Sequence, residues 1–146
     1  MGISNIWVFA QTTDGAASSA TLELLTKANS LGGSVTAFVA GTAGSGAAAF
    51  ADHGAAKIYE TGDLAGALPG AAVSAAMKTV IDGGDSPDLV MFPQNYEGRD
   101  VMSRLSVKLD RTVLTNSTDV AVDGDSVSVT TPIFGGAKLV TSTFTG

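Results

Sequence analysis

At 146 residues the chain is long enough for one hydrophobic core, and 45% hydrophobic against 15% charged residues excludes a disordered polymer. A formal net charge of −6, with eight scattered basic residues, argues against a nucleic-acid or anionic-membrane surface, because phosphates need clustered Lys and Arg. The absence of cysteine excludes disulfides, thiolate zinc sites, iron–sulfur clusters and cysteine nucleophiles.

The N-terminal stretch MGISNIWVFAQ lacks the basic residues and long apolar run of a signal peptide, and no apolar stretch approaches membrane-spanning length. Met1-Gly2 invites a myristoylation reading, but Trp7 and Phe9 belong to an expected buried strand, which argues against it. A soluble cytoplasmic protein without direct membrane insertion is expected.

In chain order, NIWVFA (Asn5 to Ala10) reads as a strand covered on both faces. A polar connection, QTTDGAASS, leads into the helix ATLELLTKANSL. There Thr21, Leu24, Leu25, Ala28 and Leu31 recur at helical spacing and predict one core-facing stripe; Gly32-Gly33 ends it. The cycle repeats with strand SVTAFVA, short helix GSGAAAFADHG and strand AAKIYE. LPGAAVSAAMKTVIDGG is the clearest helix, with Pro69 near its start and Ala72, Val73, Ala76, Met77, Val80 and Ile81 as its apolar face. DLVMF is the next strand, and GRDVMSRLSVKL a helix with Val101, Leu105 and Leu109 inward. After Arg111 the rhythm changes to strand-like DVAV, SVSVTTPIF and AKLVTSTF, separated by the turn signals Asp123-Gly124 and Gly135-Gly136.

Four strand–helix units followed by a β-rich tail predict a three-layer α/β fold. It has a mostly parallel twisted sheet with helices on both faces, adenine-nucleotide-hydrolase-like or Rossmann-like, and a C-terminal antiparallel β extension. No long linker interrupts residues 1–146, so one domain is expected. The chain stops at Gly146 directly after a strand, which leaves open whether it is a piece of something longer.

In open α/β sheets ligands bind at the carboxyl ends of the strands, where helix N-termini suit phosphate. Three loops qualify: Gln11–Ser19, Gly41–Gly46 and Pro93–Arg99. The third carries the richest chemistry. Gln94 and Asn95 are candidates to read a base or ribose, Gly98 to admit a phosphate to the backbone, and Arg99 to pair with it. The alternative is a polar connection whose helix is capped locally. Gly41, Gly44 and Gly54 match the G-x2-G-x9-G spacing of universal stress proteins, but Ala55 stands where that loop needs Ser or Thr, and the motif follows too early a strand. Neither G-x4-G-K-[ST] nor a G-x-G-x-x-G after the first strand occurs.

His53, the sole histidine, ends a short helix, where a cation would offset the dipole. With one histidine and no clustered carboxylates, no metal site is expected. Asp123 and Asp125 flank Gly124 as a solvated turn rather than a calcium loop, and nothing resembles a nucleophile elbow G-x-S-x-G, so no catalytic residue is assigned.

PIFGGAKLVTSTFTG, together with TLELLTKANSLGGSVTAFVAG, GAAKIY and GRDVMSRLSVKLDRTVLTNSTDV, resembles the N-terminal domain of electron-transfer flavoprotein α subunits, in register along essentially the whole chain. The resemblance implies part of a heterodimer with a β subunit. Such proteins carry electrons from flavin-dependent dehydrogenases, such as acyl-CoA dehydrogenases, to a membrane-bound quinone reductase. It implies that FAD is held mainly by a C-terminal domain these residues do not include, so no FAD-contacting residue carries over. It also implies that this piece, a scaffold and subunit-interface module rather than an enzyme, binds no cofactor itself. The Pro93–Arg99 loop would then be a degenerate version of the AMP site of the sister β-subunit domain. Missing iron–sulfur cysteine clusters favour the housekeeping branch of the family. The alternative from a different class is a stand-alone adenine-nucleotide-binding module like the universal stress proteins.

Overall fold

The computed structural model describes residues 2–145. Strand β1 (Asn5–Ala10) is buried from Ile6 onward, as its unbroken apolar run requires. The polar connection after it is not a plain loop. It forms a miniature antiparallel hairpin, β2 (Thr12–Thr13) with β3 (Ala16–Ala17), turning at Asp14 and Gly15 with φ of 52° and 79°, as a two-residue type I′ turn demands. Helix α1 (Ser19–Ser30) follows. The Ser18 side chain caps it by accepting from the Thr21 N–H at 3.2 Å, satisfying one of its free donors. β4 (Ser34–Val39), α2 (Gly46–Asp52) and β5 (Ala55–Glu60) come next. They are followed by α3 (Pro69–Asp82), β6 (Leu89–Met91) and α4 (Tyr96–Leu109).

The four parallel strands stand in the order β5-β4-β1-β6. Alternation along β1 sends Ile6, Val8 and Ala10 to one face and Trp7 and Phe9 to the other. The first set packs with Leu25 and Ala28 of α1 and Phe50 of α2. The second packs with Phe38, with Val73 and Met77 of α3, and with Val101 and Leu105 of α4. Two separate cores on the two faces of one sheet make the three layers.

Two sequence expectations shift by packing. Ala72 of α3 lies exposed and Ser74 is buried in its place. The buried stripe of α3 runs through Gly70, Val73, Ser74 and Met77 because this helix packs on α4 as well as on the sheet, with Gly70 directly against the Asp100 side chain. β6 is shorter than the apolar run DLVMF. Asp88 instead uses its carboxylate to accept from the Ser4 N–H at 2.8 Å, the Asn5 N–H at 2.9 Å and the Ser4 hydroxyl at 3.0 Å. These bonds, led by the backbone donors, hold the Asp88 carboxyl below its ordinary pKa.

The tail forms a separate antiparallel sheet of β7 (Asp119–Asp123), β8 (Ser126–Ile133) and β9 (Lys138–Thr143). One turn of 3-10 helix, Phe134–Gly136, joins the last two. Val120 packs against the α1-side core, and Lys27 of α1 meets Asp119 at 2.7 Å. That pair, aided by the Val120 N–H, lowers the Asp119 pKa. Strand β9 is exposed at nearly every position.

Candidate functional site

The strand order reverses at β1, whose neighbours β4 and β6 are reached by connections running in opposite directions. The carboxyl ends of β1 and β6 therefore flank the switch point, where open α/β sheets hold ligands. The chain brings Gln11, Asn95 and Glu97 together there. Gln11 Oε1 accepts from Asn95 Nδ2 at 2.8 Å, and Gln11 Nε2 donates to the Glu97 carboxylate. Asn95 Oδ1 accepts from the Gly98 N–H at 2.8 Å, the N-cap contact of α4. Glu97 lies in the first turn, where its charge complements the helix dipole.

Each residue singled out in the Pro93–Arg99 loop has a place in this arrangement, and the loop itself is shorter than expected. Tyr96 begins α4, so Gly98 and Arg99 are helical. Hydrogen-bonding of Asn95 to the third helical N–H lets the helix start at once. Gly98 is buried, and a Cβ there would run into the Pro93 carbonyl oxygen; the glycine admits a neighbouring carbonyl. Gln94 Nε2 donates to the Ser117 carbonyl at 2.5 Å, tying the loop to the segment that enters β7. Arg99 is exposed and makes no ion pair among the described residues; its N–H donates to the Asn95 carbonyl at 3.0 Å.

The other two loops are also filled by the protein's own groups. At Gly41–Gly46 the Gly41 N–H donates to Thr61 Oγ1 and the Ala43 N–H to the Glu60 carboxylate, both at 2.8 Å. A carboxylate thus occupies a backbone donor that a phosphate would otherwise seek. The β2–β3 hairpin lies across the start of α2: Ser45 Oγ donates to the Gly15 carbonyl at 2.5 Å, and a Cβ on Gly46 would come within 3.2 Å of Ala17 N and Thr12 Cγ2. Gln11 closes the base of that hairpin, its carbonyl accepting from the Ser18 N–H at 3.0 Å.

Sequence reasoning missed Gln11, Glu97, Glu60 and Thr61. Gln11 and Thr61 sit immediately after strands and Glu60 ends one, so position at a carboxyl end was the available signal. Glu97 was hidden by reading its helical turn as loop. His53 is the C-cap residue of α2, and its Nδ1 lies 2.8 Å from the Ala49 carbonyl. Among the described residues no group of three or more His, Asp or Glu side chains could hold a metal ion, and no helix is long and apolar enough to cross a membrane.

A groove of about 380 Å³ runs between α1, the β6–α4 loop and the start of β7, with Leu24, Phe92 and Val120 on its walls and Lys27 and Asp119 bridging its rim. Beyond it, the β8–β9 end of the tail presents apolar side chains to solvent. Phe134 is 77% and Leu139 67% exposed, and Val140 and Phe144 are also exposed.

The family model described as the electron transfer flavoprotein domain matches residues 6–145. This chain belongs to the electron transfer flavoprotein family. It is 30% identical over 138 residues to an electron transfer flavoprotein subunit alpha from Syntrophomonas wolfei subsp. wolfei (strain DSM 2245B / Goettingen), an alignment that covers 94% of this chain and 44% of that protein. The chain thus spans less than half the length of its electron transfer flavoprotein relative. Seen with that relationship, the four-stranded parallel sheet and the antiparallel tail form an electron transfer flavoprotein domain whose switch-point loops are occupied by Gln11, Asn95 and Glu97 and whose Gly41–Gly46 loop is occupied by Glu60 and Thr61.

Proposed function

We propose that this chain is the scaffold and subunit-interface part of the α subunit of a heterodimeric, FAD-containing electron carrier. In this reading the complex takes electrons from flavin-dependent dehydrogenases, such as acyl-CoA dehydrogenases, and delivers them to a membrane quinone reductase. Residues 1–146 act as one cytoplasmic domain without bond chemistry of their own, and FAD is held by polypeptide outside it. The observation that carries the reading is the self-satisfied switch point. A flavin or adenine nucleotide needs free backbone donors for its phosphates. Here Asn95 caps α4, Glu60 and Thr61 take two of the Gly41–Gly46 donors, the Ala43 and Gly41 N–H groups, and Glu97 would repel an anion. The residues present therefore do not fit a dinucleotide pyrophosphate, and Gln94, Asn95, Gly98 and Arg99 are a degenerate nucleotide pocket whose work is helix capping and loop anchoring.

The partner is an electron transfer flavoprotein β subunit, and the surface that receives it includes Phe134 and Leu139. Calorimetry and co-purification test the two halves. The chain is expected to show no AMP or FAD binding tighter than millimolar, and to co-purify with a co-expressed β subunit. Micromolar AMP binding that disappears in Arg99→Ala would overturn this reading in favour of a stand-alone nucleotide module.

A further inference from the structure

On the α3/α4 face of the sheet, three aromatic rings step from the centre to the edge. Trp7 of β1, the sole tryptophan, is fully buried. Its ring centroid lies 5.2 Å from Phe38 of β4 and 6.0 Å from Tyr59 of β5, and Phe38 lies 5.4 Å from Tyr59. Among the described residues Trp7 Nε1 has no hydrogen-bond partner. Tyr59 differs in this respect, since its hydroxyl donates to Asp85 Oδ2 at 2.5 Å. Lys57 Nζ, 3.0 Å from the same oxygen, and Asn5 Nδ2, 3.0 Å from Oδ1, fix that carboxylate in place at the partly exposed rim of the sheet.

Two properties of these groups bear on one-electron chemistry. An oxidised indole becomes acidic, but Trp7 Nε1 makes no hydrogen bond to an acceptor among the described residues, so its radical cation keeps the proton and with it a strong pull on a neighbour's electron. An oxidised phenol is a far stronger acid than a phenol, so Tyr59 can give up an electron at low cost only where its proton has somewhere to go. Asp85 supplies that acceptor at hydrogen-bond distance.

We propose that Trp7, Tyr59 and Asp85 form an exit path that carries a one-electron oxidising equivalent from the buried core to the sheet edge. A one-electron oxidant, such as a photoexcited flavin or an ionising ultraviolet pulse, first removes an electron from Trp7. Tyr59 then passes one electron to the Trp7 radical cation while its phenolic proton moves to Asp85 Oδ2. The products are neutral Trp7, a neutral Tyr59 phenoxyl radical and a protonated Asp85, so charge and atoms balance. At the rim the phenoxyl is within reach of soluble reductants, and the core indole escapes irreversible oxidation. The path is independent of where any flavin is bound.

Flash photolysis of the chain, tuned to the indole band with an electron scavenger present, reads the transfer directly. The sequence suits the assay, with one Trp, two Tyr and no Cys to compete. Indolyl-radical absorbance is expected to convert into phenoxyl absorbance in a first-order step independent of protein concentration. Tyr59→Phe removes the conversion, and Tyr96→Phe at the exposed start of α4 leaves it intact. Asp85→Asn slows it by about tenfold or more, the factor that one charge-assisted hydrogen bond is worth. Heavy water slows the native chain, which keeps the proton step testable should Asp85→Asn fail to fold. Conversion that survives Tyr59→Phe, or a native rate unchanged in heavy water, overturns the proposal.

Discussion

Replacing Gly98 by alanine separates a packing glycine from a phosphate-binding one. The added Cβ would run into the Pro93 carbonyl oxygen and lie 3.1 Å from both Asn95 Oδ1 and Pro93 Cδ. None of these atoms can easily turn aside. Pro93 is buried, and Asn95 is held by the Gly98 N–H and by Gln11. Forcing a methyl group into such a site costs about 1–3 kcal/mol, and a stretched cap bond adds about 1 kcal/mol. Removing a glycine from a helix returns about 1 kcal/mol. The net expectation is a loss of about 1–3 kcal/mol, read as a lower urea midpoint at unchanged m-value and as a drop in Tm of about 4 °C per kcal/mol. Gly70→Ala is the matched control. Its Cβ meets the Asp100 carboxylate and lies 3.1 Å from Arg104 Nε, side-chain atoms rather than backbone, which can swing away at the expense of their exposed ion pair. That pair is worth only about 0.3–0.5 kcal/mol, so Gly70→Ala should stay within about 1 kcal/mol of the native chain. A Gly98→Ala protein as stable as the native one would refute the packing argument.

Asn95→Ala removes the α4 cap and the tie to Gln11 together, and should cost about 1–2 kcal/mol in urea unfolding, with faster amide exchange in the first turn of α4. Asp85 and Asp88 have folded pKa values below the ordinary carboxylate range, the first chiefly through Tyr59 and Lys57 and the second through the Ser4 and Asn5 amides. Their contribution is complete above about pH 4 and is lost as pH falls through the lowered folded values, so unfolding free energies measured from pH 7 to pH 3 should decline less steeply in Asp85→Asn. Lys57 and Tyr59 are shifted upward, each mainly by its hydrogen bond with Asp85. What they add is present below about pH 10 and fades as pH rises through the raised values, an alkaline limb that Asp85→Asn should also flatten. The double change Phe134→Ser and Leu139→Ser touches only exposed side chains. It should leave stability within about 0.5 kcal/mol for each position and abolish co-purification with the proposed β-subunit partner; retained association would refute this surface as the partner's.

The alternation and spacing of apolar residues determined most of the architecture on their own. NIWVFA read as a two-sided buried strand and is one, the Leu25–Ala28 stripe read as core-facing and is buried, and Gly32, Asp123-Gly124 and Gly135-Gly136 end or turn their elements as read. These are local consequences of side-chain period and backbone sterics, and they need no knowledge of neighbours. The four-segment resemblance supplied the family for the same reason, because it rests on order along the chain.

Tertiary structure alone decided how the switch point is filled. Gln11 and Glu97 are separated by 86 residues and Gln94 and Ser117 by 23, and nothing local in QTTDG or QNYEG states which distant side chain will satisfy which amide. Asn95 and Gly98 look identical in sequence whether they cradle a phosphate or cap a helix, since one amide side chain carries both a donor for a phosphate and an acceptor for a helix N–H, and both tasks use the same missing Cβ. The contact between Gly98 and the Pro93 carbonyl tells them apart. The ring contacts among Trp7, Phe38 and Tyr59 likewise exist only because β1, β4 and β5 lie side by side. A hydrogen bond or a ring contact is a fact about two places at once, so the chain fixes it only when it folds.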